Sequence, residues 1–257
     1  MGEAMVSAIA SKKLATASSV GVSDVSRERR QHLARQYGVT VTDDNRRVLA
    51  GKDVVVLAIK PKDLTGVMSE LKGLVTEGQL VVSIIAGARL DILSRGLEHQ
   101  AVVRAMPNTP ARIGEGMTVW TATTQVTAPQ RAQAAAVLGA MGAQVEVGDE
   151  NMIDMATAVS GSGPAYLFFF VEAFIDAATH LGIPQDMAER LVRATVLGAG
   201  HLLDRSGQDP AELRRMVTSP GGTTAAAISR LEEGHFAGLL QAAVEAAYRR
   251  AKELAGG

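Results

Sequence analysis

The feature that most constrains this fold is the place where the strand-like runs stop. All of them lie before residue 149, and everything after that reads as helix. In the first part, the apolar runs SSVGVS (18–23), DVVVLAIKP (53–61), QLVVSIIAG (79–87), AVVRAM (101–106), MTVWTA (117–122) and AQVEVG (143–148) alternate with helical stretches at 26–38, 63–74 and 129–142. Strands that are apolar throughout and separated by helices predict a parallel sheet covered on both faces. Residues 1–150 are therefore expected to form a doubly wound, Rossmann-like α/β domain.

The remaining residues, 151–257, carry helical patterns at 151–160, 164–181, 185–206, 210–217, 223–233 and 236–255. Small residues are dense there (ATVLGAG, AAVEAAYRRA), which permits close helix approach, and apolar positions fall on more than one side. This predicts an all-α second domain whose leftover apolar faces either serve as a subunit interface, the reading taken here, or merely pack on one another.

Composition removes several classes of function. A net charge of −1 gives no reason to expect nucleic acid or an anionic membrane as partner. The absence of cysteine excludes disulfides, thiolate nucleophiles and cysteine metal sites, and the five histidines are too scattered to suggest a metal ligand pair. The most apolar run, AYLFFFV (165–171), ends at Glu172 and is too short to cross a bilayer by itself. No basic-then-apolar leader precedes Met1, so the cytoplasm is the expected location.

The opening residues, MGEAMVSAIASKK, have helical periodicity but no capping residue before them. A sheet of this type starts with a strand and a glycine-rich turn that lets backbone amides approach a pyrophosphate. Only the Met1-Gly2 pair matches the end of such a turn, so the first strand and most of the turn are expected roughly ten residues upstream. Without that strand, the runs at 18–23 and 54–59 would be left unpaired or forced together.

Four further stretches carry candidate chemistry. Asp24, 22 positions after Gly2, stands where an acid can bind the ribose of NAD, but Ser23, Ser26, Arg27, Arg29 and Arg30 around it suit the 2′-phosphate of NADP. AIKPKD (58–63) and VRAMPNTPARIGEG (103–116) each follow a strand, at the edge where such folds bind ligands. In the helical part, AVSGSGPAYLFFF (158–170) and MVTSPGGTTAAAI (216–228) both run a Gly- and Pro-rich turn into a helix. Free amides at such a start bind anions, which points to a small anionic substrate held by backbone. Each stretch read alone is also compatible with an ordinary turn or helix cap.

Together, MGEAM, VLAIKP (56–61), RAMPNTP (104–110), AVSGSGPAY (158–166) and VTSPGGTTAAAI (217–228) strongly resemble the pyrroline-5-carboxylate reductase family, over the whole chain. The resemblance implies reduction of 1-pyrroline-5-carboxylate to L-proline by hydride from NADPH, with NADH possible. It also implies a nucleotide-binding domain followed by a helical domain that forms a homodimer or a ring of dimers. By motif match it places Gly2, Asn45, Ala58, Lys60, Pro61, Met106, Asn108 and Thr109 along the cofactor, with Ser23 and Arg27 at its adenosine end. It assigns the substrate to Ser219, Gly221, Gly222, Thr223 and Thr224, with the Thr224 hydroxyl near the ring nitrogen as the catalytic group. The family's G-x-G-N-M-G turn is matched only in its closing Met-Gly.

Two alternatives stand beside this reading. A dehydrogenase of the β-hydroxyacid type would want a lysine on the helix after Gly-Ser-Gly, and 166–181 contains none. A non-catalytic NAD(P)-binding relative is favoured by the incomplete glycine turn and opposed by the intact SPGGTT.

Overall fold

The computed structural model describes residues 1–256, which form two compact units. The first comprises Met1–Ser162 with the C-terminal segment from Ala247, and the second is Gly163–Ala246. The sequence suggests a division at 150. The structure instead keeps residues 151–162 with the first unit, because Ile153 and Asp154 are buried there.

In chain order the first unit contains α1 (Gly2–Ser11), β1 (Gly21–Ser23), α2 (Arg27–Tyr37), β2 (Thr40–Thr42), β3 (Val54–Leu57), α3 (Leu64–Leu71) and β4 (Leu80–Ser83). There follow α4 (Leu90–Leu97), β5 (Val102–Met106), β6 (Gly116–Ala122), α5 (Ala128–Gly139), β7 (Gly142–Glu146) and α6 (Asn151–Ala156). Local chemistry sets several boundaries. Ser26 caps α2 by accepting from the Arg29 amide, and Gly38 closes that helix in the left-handed conformation. Thr127 and Gln130 form a reciprocal capping box at the start of α5.

The strands form a five-stranded sheet in the order β3-β4-β5-β6-β7 and a separate parallel pair, β1-β2. β1 and β3 are not hydrogen-bonded to each other, so the two runs stay apart rather than pairing. The sheet is not parallel throughout, contrary to expectation: β6 runs antiparallel to β5, with Met106 opposite Val119. The chain turns back directly through the segment after Met106 instead of crossing over by a helix. The run at 18–23 yields only a three-residue strand, preceded by a single turn at Ala17–Ser19. β2 and α4 were not foreseen from the sequence.

Both faces of the large sheet are covered, as its apolar strands require. Leu80, Val82, Val103 and Ala105 face α1 and α5 through Met5, Ala8, Ala134 and Leu138. The alternate residues Val81 and Val102 face α3 and α4 through Met68, Leu71, Leu93 and Leu97. At the end of β5, Met106 and Val119 pack on Ile153 of α6.

After α6 comes one π-helical turn, Thr157–Gly161, with the Ser162 amide bonded to the Thr157 carbonyl. The second unit begins with α7 (Gly163–His180), followed by α8 (Gln185–Ser206), α9 (Pro210–Met216), α10 (Thr223–Glu233) and α11 (Phe236–Leu254), the last of which continues into the first unit. Within it α7 packs on α8. A single copy leaves Leu167, Phe168, Phe169, Leu197, Leu239 and Leu240 exposed. The continuous helical stretch Asn151–His180 is long and apolar enough, by length and composition alone, to cross a membrane.

Candidate functional site

The carboxyl ends of β3, β4 and β5 define the edge at which a fold of this type binds ligands. α1 begins at this edge. A Cβ built on Gly2 would lie 3.3 Å from the Ala58 side chain, just past the end of β3. The helix start and the strand end therefore pass each other closely, with little room for a side chain at residue 2. No side chain caps α1, and its first-turn amides have no partner within the helix. A crowded glycine beside open helix-start amides suits a phosphate-bearing dinucleotide.

Glu3, in the first turn of α1, is turned towards α2. It bonds His32 Nε2 at 2.8 Å and Arg29 Nη2 at 2.7 Å. The hydrogen bond with His32, followed by that from Arg29, holds its carboxyl below the usual carboxylate range. Past β3, Lys60 adopts an extended backbone and Pro61 opens a short 3₁₀ turn. The Lys60 side chain is exposed and makes no ion pair among the described residues.

At the end of β1, Ser23 is half-buried and Arg27 is exposed at the first position of α2. Neither side chain has a hydrogen-bonding partner among the described residues. Asp24 differs, since its carboxylate accepts the Ser26 amide at 2.8 Å and so is already engaged in shaping its own turn. Arg30 is also occupied, donating to the Asp24 and Val25 carbonyls. Asn45, beyond β2, donates to Glu70 Oε2 on α3 at 2.8 Å, across 25 residues that no local spacing rule connects.

Met106 ends β5, buried, and Thr109 stands exposed three residues on. Asn108 lies between them with both ends of its amide engaged. Its Oδ1 accepts the Met117 amide at 2.9 Å and its Nδ2 donates to the Ser160 carbonyl at 3.0 Å. A Cβ on Gly161 would lie 3.7 Å from Met106 Cγ. The structure thus joins two stretches that the sequence assigns to different domains, RAMPNTP and the start of AVSGSGPAY.

Beneath this junction lies a cluster of charges that was not singled out in the sequence. Arg104, in mid-strand and 1% exposed, donates to Glu150 Oε1 at 3.0 Å and to Asp154 Oδ1 at 2.5 Å. Arg89 adds a second cation, 3.4 Å from Glu150 Oε2, and Glu150 also accepts the Leu90 amide that opens α4. The signal was an arginine inside an apolar strand, which demands acidic partners.

In the second unit, the SPGGTT turn leads into α10. Gly221 has a positive φ of 72°, and the Gly222 amide bonds the Ser219 carbonyl at 3.0 Å, closing a tight turn. Gly222 is the N-cap residue, so no capping side chain occupies the first-turn amides of Thr223, Thr224 and Ala225. Thr224 is half-buried, Ser219 and Thr223 are exposed, and none of their hydroxyls has a partner among the described residues. The turn is a compact set of free donors around a bare helix start.

Comparison with known proteins matches both parts of the chain. Residues 150–254 match the family model for pyrroline-5-carboxylate reductase dimerisation, and residues 1–87 match that for coenzyme F420-dependent NADP oxidoreductases. A pyrroline-5-carboxylate reductase from Synechocystis is 40% identical over 254 residues, covering 99% of this chain and 94% of the relative. The chain belongs to the pyrroline-5-carboxylate reductase family.

Solved structures extend the likeness within this family. A Coxiella burnetii pyrroline-5-carboxylate reductase superposes with a TM-score of 0.91 at 37% identity, over 98% of this chain and 94% of that one. A Plasmodium falciparum pyrroline carboxylate reductase, solved with NADP bound, gives a TM-score of 0.88 at 28% identity, over 99% and 94%.

Proposed function

We propose that this chain reduces 1-pyrroline-5-carboxylate to L-proline in the cytoplasm, taking hydride from NADPH, as a homodimer able to assemble into a ring of dimers. The observation that carries the reading is the SPGGTT turn, whose glycine cap leaves three helix-start amides and the Thr224 hydroxyl unspent. Amides at this position suit a carboxylate.

In this reading the amides around Ser219, Gly221, Gly222 and Thr223 hold the substrate carboxylate, and the Thr224 hydroxyl orients the ring through its nitrogen. A protonated imine accepts hydride readily, so positioning supplies most of the effect and no strong acid is required. The bound nicotinamide supplies the hydride. Gly2, Ala58, Lys60, Pro61, Met106 and Thr109 line its binding edge, with Asn45 and Asn108 shaping the loops beside it. Ser23 and Arg27 receive the 2′-phosphate, which favours NADPH over NADH. Support for that preference comes from two side chains without partners beside a carboxylate that is already occupied.

Self-association is supported by the exposed Phe168, Phe169 and Leu240, an apolar surface that a second copy would cover. The test is NADPH oxidation by the purified chain with pyrroline-5-carboxylate, followed by nicotinamide absorbance. Turnover establishes the reductase. Retained NADPH binding without turnover establishes the non-catalytic relative instead.

A further inference from the structure

We propose that Asn108 is a positioning residue, which locks the loop after β5 to the π-turn and so holds the surface offered to the nicotinamide without touching the cofactor through its own side chain. This rests on the reductase reading above.

The sequence creates a vacancy that Asn108 fills. In a regular helix the Ser160 carbonyl would accept the amide of residue 164, but residue 164 is proline and has no N–H. A buried carbonyl without a donor is costly. The helix responds locally with a π-turn over Thr157–Gly161, and the Ser160 carbonyl receives Asn108 Nδ2 at 3.0 Å. The other end of the same amide continues the sheet. The β5–β6 register sets Met106 opposite Val119, so the next bonded rung would set residue 108 opposite residue 117. There the Asn108 Oδ1 takes the Met117 amide at 2.9 Å, in place of a main-chain carbonyl.

One side chain therefore joins three segments: the end of β5, the start of β6 and the π-turn. Met106 lies beside Gly161 at the same junction, where an added Cβ would stand 3.7 Å from Met106 Cγ, at van der Waals contact. With a polar atom at each end of the amide already bonded, Asn108 is engaged in holding Met106 and Thr109 in place.

The test compares wild type with Asn108→Asp, which keeps the acceptor for Met117 but sets an oxygen against the Ser160 carbonyl. Three quantities are measured: NADPH dissociation constant by fluorescence, kcat for pyrroline-5-carboxylate, and the primary isotope effect with deuterated NADPH. The expected result is a kcat lowered about tenfold or more, a raised isotope effect because hydride transfer has become slower, and NADPH affinity within about twofold of wild type. Loss of NADPH affinity in proportion to kcat overturns the proposal in favour of direct contact. Unchanged kcat with a lower melting temperature overturns it in favour of a scaffold role only. If Asn108→Asp does not fold, Asn108→Ala removes the donor without adding charge and is read on the same three quantities. Wild-type turnover is measured first: a silent wild type overturns the reductase reading and the proposal together, whereas an active wild type with an unaffected variant overturns the proposal alone.

Discussion

Arg104 Nη2 lies 2.5 Å from Asp154 Oδ1 with both side chains almost wholly buried, which bolts α6 to the middle strand of the sheet. This pair accounts for residues 151–162 belonging to the first unit. Its cost is visible in Arg104 Nε, which is buried and has no partner. The value of such a pair lies less in net stability than in the penalty for breaking it. Asp154→Ala should therefore destabilise the protein by about 3 kcal/mol or more, read from the urea midpoint, because Arg104 would keep a buried charge with only Glu150 left to meet it. An unchanged midpoint would refute the bolt.

Glu3 ties α1 to α2 through His32 and Arg29, and its carboxyl sits below its ordinary value in the folded chain. A depressed carboxyl contributes stability that is present above the unfolded-state value and is lost as pH falls through the folded-state value. Wild type should consequently be more stable than Glu3→Gln at neutral pH, and the two should converge under strongly acid conditions. Melting temperatures of both across an acid titration check this. A constant gap at all pH values would show that the carboxylate charge is not the source.

Much of this fold could be read in the sequence, because its rules are local there. Ser26 and Gly38 bracket α2 by capping chemistry alone, and the all-helical run after residue 150 follows from periodicity. The antiparallel pairing of β5 and β6 could not be read, since AVVRAM and MTVWTA bury the same alternate residues whichever way the second strand runs. α4 carries its apolar spacing in Leu90, Leu93 and Leu97, but eight residues are a short window for a period of 3.6. In the site, the glycine-rich turns declared themselves by composition. The bonds from Asn108 to Ser160 and from Arg104 to Asp154 span 52 and 50 residues, and no spacing rule connects positions so far apart.

Gly87, in the loop after β4, has a φ of 77°, and a Cβ there would collide with the carbonyl of Leu254 at the end of α11. Gly87→Ala meets both obstacles, and the left-handed backbone alone costs about 1–2 kcal/mol. The expected outcome is a lower melting temperature together with faster proteolysis near residue 254, as the helix end is pushed off its seat. Loss of stability with unchanged cleavage there would place the strain in the loop instead.

Arg27 and Ser23 bear on the choice of cofactor. An exposed guanidinium with no internal partner has little to lose from substitution except a ligand contact. Arg27→Ala should leave the melting temperature and the KM for NADH nearly unchanged while raising the KM for NADPH about tenfold, the scale of one hydrogen bond to a charged group. Equal effects on both cofactors would remove Arg27 from the 2′-phosphate.

Thr224 tests the chemistry itself. Its hydroxyl is half-buried, has no partner within the protein, and stands in the first turn of α10 beside the open amides of the SPGGTT turn. If it orients the imine nitrogen, Thr224→Ala removes a contact that matters most as charge shifts during hydride transfer. The barrier should rise by about 1–3 kcal/mol, a fall in kcat/KM of roughly 5- to 150-fold. Thr224→Ser keeps the hydroxyl and should retain most of the activity. If backbone amides hold the carboxylate, as proposed, neither variant should greatly weaken binding of L-proline. A Thr224→Ala enzyme with unchanged kcat/KM would leave the amides as the whole of the substrate site and take the hydroxyl out of the mechanism.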